Sequence, residues 1–178
     1  MTSNGTKIKM YIIYICGGLE VENRIEVLRN FITNSLFNET ESAKQRFGYF
    51  NHMSGVSQFA AFIALKRGED VELATMAGLL HDYHSFKTLD SANHAEKGAL
   101  LAREVLTELK LANEQEIKMI CSAIHNHSSK SVYHSSFDEV LIDADVLQHR
   151  FFNVTLPEFE HEKARFDKLV EELGFNNC

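Results

Sequence analysis

Proline is nearly missing: Pro157 is the only one in 178 residues. A proline inside a helix removes a hydrogen bond and clashes with the preceding turn, so its scarcity permits long uninterrupted helices. Cysteine is also scarce. Cys16, Cys121 and Cys178 are odd in number and lack metal-type spacing, which fits a reduced, cytoplasmic protein better than a disulfide scaffold. No run approaches the roughly twenty apolar residues of a membrane span. The apolar stretch from Met10 to Cys16, preceded by Lys7 and Lys9, is too short for a signal peptide, and bulky Tyr14 and Ile15 spoil a cleavage site. Residues 1–20 therefore read as a leader, either a short strand or unstructured. Positive charge is in deficit, with 18 Lys and Arg against 25 Asp and Glu and a net charge of −7. That argues against nucleic acid as a partner, because phosphate contacts need clustered cations. A small phosphorylated substrate stays open, since a bound divalent cation supplies local positive charge.

What is present is helical periodicity. Apolar residues are 44% of the chain, enough for one globular domain over residues 21–178. Ile25, Leu28, Ile32 and Leu36 share one helix face. Val56, Phe59 and Ile63 share another, with His52 one turn earlier. Leu73, Met76, Ala77 and Leu80 mark a helix ending at His81-Asp82. Further helices are expected over 92–110 (Leu101, Val105, Leu109), 113–127 (Ile117, Ile120, Ile124) and 136–152 (Phe137, Leu141, Leu147). Pro157 sits where a last helix would begin and Gly174 where it would stop. The pattern predicts an all-α domain, with residues 83–93 as the longest polar connection. No repeat or interdomain linker interrupts it.

Helix geometry decides which polar side chains can face the core. His52 precedes buried-stripe Val56 by four residues and shares its face. His81 and Asp82 put an imidazole and a carboxylate at one helix end. His94 lies four and seven residues before Gly98 and Leu101. His127 continues the stripe of Ile120 and Ile124, whereas His125 is turned away by about 100° per residue. The spacing prefers His127 without deciding. Asp143 and Asp145 are about 200° apart on a helix, so one of them faces inward, and spacing does not say which. Each residue alone has an ordinary explanation as a hydrogen-bonded core histidine or a solvated carboxylate. Together they do not, because burying several such groups without a cation leaves charge unpaired. A His/Asp cluster on apolar helices points to a metal site.

These segments resemble a known family. His52-Met-Ser-Gly-Val56, Ala77-Gly-Leu-Leu-His81-Asp82 and Asp143-Ala-Asp145-Val-Leu147 are similar to the HD superfamily of metal-dependent phosphohydrolases over residues 46–150. The resemblance implies an HD-domain helical bundle with His52, His81, Asp82 and Asp145 as metal ligands, and it selects Asp145 over Asp143. It makes His81 and Asp82 the catalytic pair. Members with two metals add two histidines, which His94 and the Ile124-His-Asn-His127 segment match. The His-Asp-Tyr segment resembles a bacterial branch that has two irons and splits dinucleoside polyphosphates. Branches acting on guanosine tetraphosphate or deoxynucleotides carry acidic residues where this chain has Tyr83-His84-Ser85-Phe86-Lys87, and the Gly-Tyr-Pro signature of cyclic-dinucleotide members is absent.

The expected function is hydrolysis of a nucleotide or other small phosphate ester by metal-activated water. One or two divalent ions are expected, and Fe, Mn, Co, Ni, Zn and Mg are not distinguished by the ligand set. His84, Lys87, Lys130 and Arg46 are candidate substrate-phosphate contacts. The expected partner is a small phosphorylated molecule, with no nucleic acid or membrane, and a homodimer is compatible with the sequence. Two alternatives stand beside this reading. One is a two-iron oxygenase on the same fold, and the other is a non-catalytic regulatory module with a structural metal.

Overall fold

The structure is a computed structural model, and it describes residues 23–39, 43–155, 157 and 159–174. The expected leader over 1–20 lies outside the described residues. Among them the chain forms α1 (Arg24–Glu39), α2 (Ala43–Arg67), α3 (Val71–Leu80), α4 (Tyr83–Thr88), α5 (His94–Glu108), α6 (Glu114–Asn126), α7 (Ser136–Phe152) and α8 (Lys163–Leu173), with no strand. The all-α expectation holds.

Local chemistry sets the helix ends. The Asp70 carboxylate accepts from the Leu73 amide at 2.9 Å and starts α3. Asn113 and Glu116 form a reciprocal capping box at the start of α6. The Ser135 hydroxyl accepts from the Asp138 amide and starts α7. Gly174, at φ 76°, ends α8 as expected.

The centre of the bundle is α3, buried continuously from Leu73 to Leu80. It packs against α1, α2, α6 and α7. Burying a Leu or Met side chain contributes roughly 1.5–3 kcal/mol each, and Leu73, Met76, Leu79 and Leu80 are all buried. The approach to α2 is close enough to need a glycine: a Cβ on Gly78 would stand 2.5 Å from the Ser57 Cα. Gly98 plays the same part for α5, where a Cβ would stand 2.9 Å from the His81 carbonyl oxygen. The expected stripes of α1 (Leu28, Ile32, Leu36), α2 (Val56, Ile63) and α6 (Ile117, Ile120, Ile124) are buried.

Two expectations need correction. Residues 83–88, read as part of a loop, form the short helix α4. Its buried face is only Tyr83 and Phe86, three residues apart, too brief a pattern to register as periodicity. The last helix begins at Lys163, not at Pro157. Glu162, its preceding residue, makes no capping bond; its carboxylate is turned inward instead, as described next.

Candidate metal centre

The six expected ligands meet at one place, delivered by different helices. His52 comes from α2, His81 follows the end of α3, and Asp82 precedes α4. His94 opens α5, His127 follows the end of α6, and Asp145 lies within α7. His81, His127 and Asp145 are buried, with 0%, 2% and 4% of their surface exposed.

The four histidines share one orientation. Each Nδ1 sits against an oxygen: Gln148 Oε1 at 2.5 Å for His52, Gly78 O at 2.8 Å for His81, Ser91 O at 3.3 Å for His94 and Ile124 O at 2.6 Å for His127. An amide or carbonyl oxygen only accepts, so each Nδ1 carries the proton and each Nε2 keeps its lone pair. These lone pairs then face one another. His52 Nε2 lies 3.1 Å from His81 Nε2, and His94 Nε2 lies 3.2 Å from His127 Nε2. Two lone pairs at that distance repel unless a cation lies between them. Two nitrogens about 2.1 Å from one ion and at right angles to each other are about 3.0 Å apart, so the spacing fits ligation.

The Asp82 carboxylate stands between the two pairs. Its Oδ2 is 3.5 Å from His52 Nε2 and 3.6 Å from His81 Nε2. Its Oδ1 is 3.7 Å from His127 Nε2 and 3.9 Å from His94 Nε2. Asp145 Oδ1 closes the first group, 3.5 Å from His52 Nε2. Asp82 Oδ1 and Asp145 Oδ1 are buried and accept no hydrogen bond. Such atoms are costly unless something positive meets them. The donor set and the two orphaned oxygens together fit divalent metal.

The electrostatics agree. Burial pushes the His81 imidazole down to about 4 and lowers His127 as well, keeping both neutral as a ligand must be. Burial also works to lower His52, but the Asp82 and Asp145 carboxylates and Gln148 outweigh it and raise this group. Burial works to raise both carboxyls. For Asp82 the surrounding histidines His81, His52 and His127 outweigh it, and for Asp145 Lys130 and then His149 do, so both are held far below the usual carboxylate range.

The pairs left open by spacing are separated here. Asp145 reaches the cluster, whereas Asp143 is bound by Arg67 at 2.6 Å and Arg165 at 2.8 Å. His127 is buried in the cluster, whereas His125 is exposed. The expected phosphate contacts fare differently. Arg46 donates to the Phe37 carbonyl at 2.6 Å and lies over the Phe37 ring. It is six residues from His52, or about 240° around the helix, so it leaves the face that carries the ligand. Lys87 lies over the Tyr83 ring. Neither residue, nor His84, lines the cavities at the cluster. Lys130 does line one, but its ammonium is bound by Asp145 Oδ2 at 2.7 Å and by Glu162.

Three residues at the cluster were missed. Gln148 orients His52. His149 stacks on the His52 ring, with 5.3 Å between centroids, and its Nε2 is 3.4 Å from Asp145 Oδ1. Glu162 holds His149 Nδ1 at 3.0 Å. The spacing of four between Asp145 and His149 signalled a shared helix face. Nothing local signalled Glu162. Two cavities reach the cluster. One of about 750 Å³ opens onto His52 and Asp82 between the rings of Phe86, Phe152, Phe159 and Phe166. The other, about 260 Å³, lies over Asp82, His94, His127 and Asp145.

The profile of the HD domain family matches residues 49–150, which hold every one of these candidate ligands. The chain belongs to the HD domain family. A segment of 100 residues is 35% identical to Ribonuclease Y of Enterococcus faecalis, covering 54% of this chain but only 17% of that protein. The fold is similar to the crystal structure of a predicted HD superfamily hydrolase from an uncultured Thermotogales bacterium, with a TM-score of 0.54 at 22% identity, over 84% of this chain and 88% of that one.

Proposed function

We propose that this HD domain is a metal-dependent hydrolase of a nucleotide or another small phosphate ester, with room for two divalent ions. The observation that carries the reading is the division of the donors: two facing histidine pairs, at 3.1 and 3.2 Å, with one carboxylate between them. A bound divalent cation would lower the pKa of water and neutralise charge on a phosphoryl group. The chain's own residues do the rest. Asp82 offers one oxygen to each pair. Gln148 and the Gly78 and Ile124 carbonyls hold the imidazoles in the ligating tautomer. The larger cavity has room for the organic part of the ester beside His52 and Asp82.

The ribonuclease relative supports phosphate-ester chemistry in the shared segment. RNA itself is not carried across, because this chain spans a small part of that protein and has a net charge of −7. The test is metal analysis of the purified protein, combined with a panel of phosphorylated substrates assayed with Mn or Fe. Phosphate release that disappears with chelator and returns with metal is expected. Turnover that requires dioxygen and releases no phosphate would replace this reading with the oxygenase one. Bound metal without any turnover would favour a regulatory module.

A further inference from the structure

Beside the two histidine pairs lies a third group of donors, of which the hydrolase reading uses only Asp145. Asp145, His149 and Glu162 bring three ligand atoms within 4.8 Å of one another. Asp145 and Glu162 are 4% and 5% exposed, so two carboxylates are sunk together beneath the surface. Left to themselves they would repel, and an arrangement of this kind calls for a cation. One is already there. The Lys130 ammonium is 2.7 Å from Asp145 Oδ2 and bonds Glu162 Oε1. We propose that Asp145, His149 and Glu162 form a third cation position, and that the chain fills it permanently with its own Lys130.

Lys130 suits this part because an ammonium is a compact point charge with three donors and no acceptor. Both carboxylates bind the ammonium directly, and two opposite charges in contact favour its charged form. Its presence has two effects on the neighbouring centre. It takes Oδ2 of Asp145, which leaves Oδ1 as the atom aimed at His52 and without a hydrogen-bond partner. It also keeps Glu162 from ligating metal. Lys130 is thus a positioning residue that limits how many ions the centre takes. The inference rests on the metal-centre reading, but it is decided by a difference between variants.

The experiment is equilibrium dialysis of the full chain against Mn²⁺, with bound metal counted per chain and folding checked by circular dichroism. Lys130→Met keeps the length of the side chain and removes the charge. It should bind about one ion more than wild type, as a vacated carboxylate/imidazole site would, and Glu162→Gln added to it should abolish the gain. A folded Lys130→Met protein that gains no metal overturns the proposal. Glu162→Gln alone should keep the wild-type metal count, and loss of an ion would overturn the proposal by making Glu162 an ordinary ligand. If Lys130→Met does not fold, this single variant decides. Wild type without metal would sink the hydrolase reading, while the gain in Lys130→Met would still decide the third position.

Discussion

The two halves of α7 bury acids in opposite ways. Toward its start, Asp138 accepts from Ser122 and Asn126, Glu139 from the His134 amide and Arg165, and Asp143 from Arg67 and Arg165. Every one of these carboxylates is matched within the protein. Two residues on, Asp145 is as deeply buried as Asp143, at 4% exposure for both. Yet its Oδ1 has no hydrogen-bond partner, and it points at histidines whose lone pairs already face each other. Burial alone does not mark a functional acid, because the fold hides matched acids as readily. The mark is a buried oxygen that the protein itself leaves unmatched.

That contrast is open to attack. The largest effect is expected at Asp82, which touches both histidine pairs. Asp82→Asn should keep the shape, remove the shared charge, and cut metal-dependent hydrolysis by at least about a hundredfold. Near-normal turnover would mean the orphaned oxygens are not a metal site. Next comes the pair on α7 itself. Asp145→Ala should lose metal, and it leaves the Lys130 ammonium with Glu162 as its carboxylate partner. Asp143→Ala should retain metal but unfold at lower denaturant, by about 1–3 kcal/mol, because Arg67 and Arg165 lose a buried partner and keep Glu172 and Glu139. If the two variants trade outcomes, the division along α7 is wrong. His127→Ala should lower metal from about two ions to about one, while exposed His125→Ala leaves it unchanged; the reverse result would place the wrong imidazole at the centre.

A pH series sharpens the same division. In chelated protein, burial holds His81 down to about 4 and lowers His127. A group lowered by folding favours the folded state above its unfolded value of about 6.5 and withdraws that support as pH falls. His52 is raised and acts in the opposite sense. With two groups against one, thermal stability should fall between about pH 6.5 and 4, by up to a few kcal/mol. A flat melting temperature across that window would show that the histidines are not buried as neutral groups. The smallest effect belongs to a cap remote from the cluster. Asn113→Ala should cost about 1 kcal/mol and leave metal content alone, which sets the scale for a purely structural loss.

The fold was legible because apolar spacing is long and regular in α1, α2, α3 and α6. It failed where the pattern was short, as in α4, or where a charged residue left its cap for the interior, as Glu162 did. In the site, His52, His81 and Asp82 could be read from their places on or at the end of apolar stripes, and the stripe of α6 favoured His127 over His125 without deciding. Asp145 could not be told from Asp143 by spacing, because α7 is buried on both faces and the answer depends on which arginines lie opposite. Gln148 and His149 lay one turn beyond Asp145 and were passed over, since a residue that only orients a ligand has no composition of its own. Arg46 was placed by nearness in sequence, and the helix turns it away.

His52 and its orienting residue Gln148 are 96 positions apart in the chain, and the other ligands come from the helices between them. Two cations held there, with Asp82 between them, would tie α2, α3, α5, α6 and α7 into one knot, closing loops that are long in sequence. Contacts of that kind form late, once the intervening segments are in place. The centre would then be a gauge of the whole fold. Loosening any of the five helices, even far from the cluster, should be read first as an ion lost, before unfolding can be seen by other means.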